Sequence, residues 1–105
     1  MTVVAYVPDL MDRSKVAAAG TAVSFATTPD ALVAAAAGAD VVVVDLGRPG
    51  VVDVLPALVA TGARVVAFGS HVDRATLDAA RAAGCDEVLP RSRFFASLPQ
   101  VLGSP

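Results

Sequence analysis

A chain of 105 residues with a net charge of −2, more than half of it apolar, holds enough material for one packed core and too little for two domains. That balance excludes a disordered chain, and the acidic total with few exposed aromatics excludes nucleic acid as an expected partner. The apolar stretches break at Pro, Gly or charge before the roughly 18–20 residues a membrane span needs, so no membrane partner is expected, and the lone Cys85 excludes an internal disulfide or a Cys-based metal cage.

Thr2 to Val7 is a β-branched and aromatic run without helical period, predicting a first strand. With no basic leader before it, the amino terminus reads as a strand and not a signal peptide, and a cytoplasmic location is the default. Asp9 is placed to cap a helix over Leu10 to Ala19, with Asp12 as an acid in its first turn and Gly20 as its left-handed stop. Ala22 to Ala26 predicts a short second strand. Thr28-Pro29-Asp30 sets a capping hydroxyl before a proline at the first helical position, and Gly38 ends that helix.

Val41 to Val44 is apolar on both faces, as expected of a central parallel strand covered by helices on both sides. Taking Asp53 as a cap puts Pro56 in the first turn of a helix over Val54 to Thr61, where its missing amide hydrogen does no harm. Val65 to Phe68 predicts the fourth strand, Asp73 to Ala83 the fourth helix, and Glu87 to Leu89 the fifth strand. A final helix follows, kinked or divided at Pro99. Helices stopping at Gly20, Gly38, Gly62 and Gly84, each with a strand restarting shortly after, describe five βα units.

Right-handed crossovers put all the βα loops of such a sheet on one edge, where open α/β domains carry their sites. That edge holds Pro8, Asp9, Met11 and Asp12, then Thr27 and Thr28, residues 45–50, Ser70 and His71, and finally Arg91, Ser92 and Arg93. No glycine-rich nucleotide cradle follows any strand, Gly69-Ser70-His71 lacks the pattern of a nucleophile elbow, and His71 is the sole imidazole. No catalytic residue is therefore assigned, no enzyme is expected, and His71 reads as a loop contact. On its own chemistry Asp45 is also suited to capping the loop that follows it.

An aspartate closing the apolar central strand with a proline four residues on, in Asp45-Leu46-Gly47-Arg48-Pro49, resembles the bacterial response-regulator receiver domain of the CheY-like superfamily. Ala83-Gly84 through Leu89-Pro90-Arg91-Ser92-Arg93-Phe94 is similar to the Gly-containing approach to the fifth strand in that family. The resemblance spans nearly the whole chain, residues 1–105 as one domain. It implies a doubly wound, flavodoxin-like (βα)5 fold with three α/β/α layers and a place in two-component signal transduction.

The family's acidic pair after the first strand holds magnesium beside the acceptor aspartate. Here the aligned positions are Val7 and Pro8, with Asp9 one residue late and Asp12 farther along the helix. The family's hydroxyl after the fourth strand falls at Ser70 or Gly69, its lysine at Arg91 and its switching aromatic at Val88. Arginine is longer and planar, and is better suited to a bidentate pair with Asp45 or another carboxylate than to an ammonium point contact.

These departures lead to the expectation of an atypical, pseudo-receiver module that binds a protein partner or a second copy, with Asp45 in an arginine ion pair or hydrogen-bond network and no cofactor or metal. One alternative is a phosphorylatable receiver in which Asp45 is the phosphoacceptor, with magnesium held through Asp9 or Asp12 and phosphate contacts from Ser70 and Arg91. Another is a sensor of a small anion held by Arg48, Arg91 and Arg93. Phe94, Phe95, Leu98, Val101 and Leu102 are a candidate partner surface through the last helix and fifth strand, or else close the core. With no output domain attached to the sequence, signalling is expected to pass through noncovalent association.

Overall fold

Five short strands and six helices alternate in the computed structural model, which describes residues 1–19 and 22–103. Strands β1 (Val3–Tyr6), β2 (Val23–Phe25), β3 (Val41–Asp45), β4 (Arg64–Gly69) and β5 (Glu87–Pro90) form one parallel sheet in the order β2-β1-β3-β4-β5. The helices are α1 (Leu10–Ala17), α2 (Pro29–Ala36), α3 (Val51–Ala60), α4 (Arg74–Ala82), α5 (Arg91–Ala96) and α6 (Leu98–Gly103). This is the three-layer flavodoxin-like arrangement expected from the alternating pattern. Among the described residues no helix is long and apolar enough to cross a membrane.

Because successive strand side chains point to opposite faces, the β-branched strands feed two cores. Val42, Val44, Val65 and Ala67 pack with Leu32, Leu55, Leu58 and Leu77, which places α2, α3 and α4 on one face. Val3, Ala5, Val43, Val66 and Phe68 pack with Val16, Phe94, Leu98 and Leu102, which places α1, α5 and α6 on the other. From β1 the chain steps outward to β2, then crosses back to pair β3 with β1, Val3 opposite Val41 and Tyr6 opposite Val44. The reversal opens a crevice beyond the carboxyl ends of β1 and β3, the place where sheets of this kind bind and react.

Three of the predicted caps form, and the fourth, Asp53, lies inside its helix instead. Asp9 accepts from the amides of Met11 and Asp12, Thr28 from Ala31 and Asp73 from Thr76, satisfying donors that a helix start leaves free. Gly38, Gly62 and Gly84 leave their helices with positive φ. Gly20, the expected stop of the first helix, lies outside the described residues.

Two elements differ from expectation. α3 starts at Val51, not after Asp53, and Pro56 sits inside it rather than in the first turn. Val51, Leu55 and Leu58 are fully buried at i, i+4 and i+7, and the burial of that stripe outweighs one lost helical hydrogen bond on the exposed side. The final helix is divided, α5 ending at Ala96 with Ser97 as its cap and α6 beginning at Leu98 with Pro99 in its first turn.

The apolar side chains of that last segment close the core. Phe94, Leu98, Val101 and Leu102 are buried against the sheet, and Phe94 stacks on Phe68 with ring centroids 4.3 Å apart. The surface expected through the last helix is therefore largely internal, with Phe95 half-buried.

Candidate functional site

Burying a carboxylate is costly unless it is paired or hydrogen-bonded. Among the described residues only Asp12 and Asp45, 4% and 6% exposed, are buried polar or charged groups, and both lie at the β1/β3 crevice. Each is satisfied by the protein itself.

Asp12 reaches its place because Asp9 fixes the start of α1 and the following turn points Asp12 towards the sheet. Its two oxygens accept from the two terminal nitrogens of Arg91, at 2.9 and 2.8 Å. This is the planar, bidentate geometry that arginine provides and lysine does not. The guanidinium carbon also lies 5.2 Å from the Phe95 ring centroid and 5.8 Å from that of Phe68, so aromatic rings and a carboxylate together orient it. The hydrogen bond to Asp12 raises the Arg91 pKa further, helped by the charges of Asp12, Asp45 and Asp9 and opposed by burial.

Asp45 closes β3. Its Oδ1 accepts from the Gly47 amide at 2.9 Å, an Asx-type turn, and Arg48 Nε approaches Oδ2 at 3.5 Å. A Cβ at residue 47 would stand 3.2 Å from Oδ1, so a glycine there lets the loop fold tightly back on the carboxylate. Asp9, at the surface, accepts from the amides of Met11 and Asp12 at 3.0 Å each. The Asp12 amide is the main cause of its lowered pKa; burial acts in the opposite direction, and the Met11 amide and the charges of Arg48 and Arg91 lower it further.

A depression of about 280 Å³ brings together Asp9, Asp12, Asp45, Arg48, Ser70 and Arg91. Arg93 does not join them. It lines a separate hollow with Arg64, Glu87 and Gln100, because residues two apart on a helix project about 200° from one another. Between the two candidates for the β4 hydroxyl position, Gly69 is packed so closely that an added Cβ would meet Leu46 Cβ at 3.3 Å. Ser70 lines the depression, and its Oγ accepts from the Val72 amide at 3.4 Å.

The donor set does not fit a divalent cation as it is folded. Both Asp12 oxygens face Arg91, one Asp9 oxygen caps α1, and Asp45 is shared between Gly47 and Arg48. Among the described residues no three His, Cys, Asp or Glu side chains form a group that could hold a metal ion.

By sequence, no protein-family model and no curated protein matches the chain. By structure it is similar to a response regulator from Burkholderia pseudomallei, solved with a phosphorylated aspartic acid, calcium and citrate. The two align at a TM-score of 0.78 and 19% identity over 98% of this chain and 66% of that one. The receiver domain of the putative response regulator NarL from Mycobacterium tuberculosis aligns at 0.77 and 20% identity, over 94% and 90%. A CheY-like protein, tadZ, from Pseudomonas aeruginosa aligns at 0.68 and 25% identity, over 100% and 94%. The chain has the CheY-like receiver fold.

Sequence reasoning gathers most of these positions and the bidentate arginine–carboxylate pair, but does not choose the carboxylate. It sets Arg91 against Asp45 or another carboxylate; the partner is Asp12, from an element 79 residues away. The available signal is topological, since α1 and α5 flank the same sheet face. The aromatic support from Phe68 and Phe95 is not visible in any local pattern.

Proposed function

We propose that the chain is a cytoplasmic signalling or scaffolding module of the receiver type, not an enzyme, that acts by binding a protein partner and does not use magnesium-dependent phosphorylation of Asp45. The observation that carries this reading is the internal pairing of the two buried carboxylates of the crevice, with Arg91 closed on Asp12 and Arg48 on Asp45. An ion already matched by hydrogen bonds gains little by exchanging them for a hydrated metal.

The partner surface we infer is the strand-end edge. Leu10 and Met11, in the first turn of α1, and Val72, in the loop after β4, are 76%, 73% and 75% exposed at this edge. Exposed apolar side chains at the rim of a polar centre are a common composition for a protein-binding edge.

The test is the intact mass of the protein after incubation with magnesium and acetyl phosphate, compared with the Asp45→Ala variant. The expected result is no mass increase in either. An Asp45-dependent gain of one phosphoryl group would overturn the reading in favour of a phosphorylatable receiver, which is supported by the presence of Asp45, Ser70 and Arg91 in one depression.

A further inference from the structure

Beside the crevice, on the α1/α5 side of the same edge, lies a second pocket of about 340 Å³ lined by Lys15, Ser70, His71, Arg91, Ser92 and Phe95. Its lining contains no carboxylate, although the chain as a whole is acidic. The two cations come from opposite ends of the sequence, Lys15 from α1 and Arg91 from α5. Phe95 holds both of them, with Lys15 Nζ 5.3 Å and Arg91 Cζ 5.2 Å from its ring centroid.

We propose that this pocket is a binding site for a small oxyanion, a phosphate monoester or a carboxylate, carried on an apolar or aromatic body. The charge balance favours it. Asp12 neutralises Arg91 from the crevice side, while among the described residues Lys15 forms no ion pair, so the pocket keeps the unmatched charge of its ammonium.

Donor capacity favours it as well. A guanidinium has five N–H groups and Asp12 takes two of them, leaving others for a ligand, alongside the Ser70 and Ser92 hydroxyls and the His71 imidazole. The bidentate bond and the aromatic contacts already fix Arg91, so little ordering is lost on binding. Phe95 supplies an apolar wall for the ligand body, and the volume suits a ligand of one ring and one anionic group.

The site shares Arg91 with the anion site expected from the sequence, which joined it to Arg48 and Arg93; Lys15 takes the place of those two. Asp45 does not line the pocket, although Ser70 and Arg91 border both the pocket and the depression that holds Asp45. Phosphorylation of Asp45 is read by mass and this site by binding, so either can fail without the other.

The experiment is a two-dimensional ¹⁵N–¹H titration of the full chain at constant ionic strength with phenyl phosphate, benzoate and inorganic phosphate in separate series. Saturable shifts at Ser70, His71 and Ser92 with phenyl phosphate or benzoate are expected, with the stronger series identifying the anion class. Lys15 is exposed, so Lys15→Glu should fold normally and weaken binding by about ten-fold or more, the equivalent of one charged hydrogen bond. Arg48→Ala should leave it unchanged. Shifts linear in ligand, equal binding by Lys15→Glu, or shifts centred on Gly47 and Arg48 would each overturn the proposal.

Discussion

Arg91 and Asp12 meet end to end in a planar pair, two hydrogen bonds of 2.9 and 2.8 Å spanning 79 residues of sequence. The pair does structural work that apolar packing does not do for α1. That helix buries just one large apolar side chain, Val16, while Leu10 and Met11 face solvent. Its orientation therefore depends chiefly on polar contacts, Asp12 on Arg91 first and Arg13 over Phe25 at 4.7 Å second.

Arg91→Ala leaves a buried carboxylate without its partner. We expect a loss of about 2–3 kcal/mol, below the upper range for fully buried pairs because the Arg91 side chain is 46% exposed. Arg91→Lys should fall between, keeping the charge but losing the fork. Urea denaturation checks both, and Asp12→Ala combined with Arg91→Ala should cost less than the sum of the single changes.

The cap at Asp9 gives a pH signature. Its folded pKa is lowered, chiefly by the Asp12 amide, so its contribution is complete above the ordinary carboxylate value of about 3.9 and is lost as pH falls through the folded value. The amide resonances of Met11 and Asp12 should titrate with a midpoint below about 3.9, and Asp9→Asn should abolish that step. A midpoint at or above the ordinary value would contradict the cap assignment.

Much of this architecture is written locally. Asp9, Thr28 and Asp73 are caps recognisable from their neighbours, and Val41 to Val44 declares a strand covered on both sides. Asp45 is legible as a strand-end aspartate, and its Gly47 contact is a two-residue turn. What escapes is non-local. Arg91 has several carboxylates within plausible reach, and the choice of Asp12 depends on how α1 is rotated. The start of α3 escapes for a related reason: Pro56 and Asp53 carry a strong local signal, and the buried Val51 overrules it.

Pro56 is accordingly a stabilising substitution site. It is exposed on α3, and alanine would restore the amide that can donate to the Val52 carbonyl. Set against the added freedom of the unfolded chain, Pro56→Ala should stabilise by about 2 kcal/mol. The midpoint of thermal unfolding should rise by roughly 10 °C.

Phe94→Ala should be among the most damaging single changes. The ring is fully buried and stacked on Phe68, with Phe95 edge-on at 4.9 Å, and its removal should cost about 3–5 kcal/mol. It also removes the ring that packs on Phe68 and Phe95, the two aromatics beside Arg91, so the Ser70 and Ser92 resonances should shift even where the variant remains folded.

The face of the sheet built from β1, α1, α5 and α6 joins the two ends of the chain. During synthesis the other face can assemble from residues already made, whereas Val3, Ala5, Val7 and Val16 remain without Phe94, Leu98, Val101 and Leu102 until the end of that segment emerges. A nascent chain halted before Arg91 therefore carries an uncovered valine-rich surface with Asp12 unpaired in it, a target for chaperones and proteases. Completion of the last two short helices is the event that hides it.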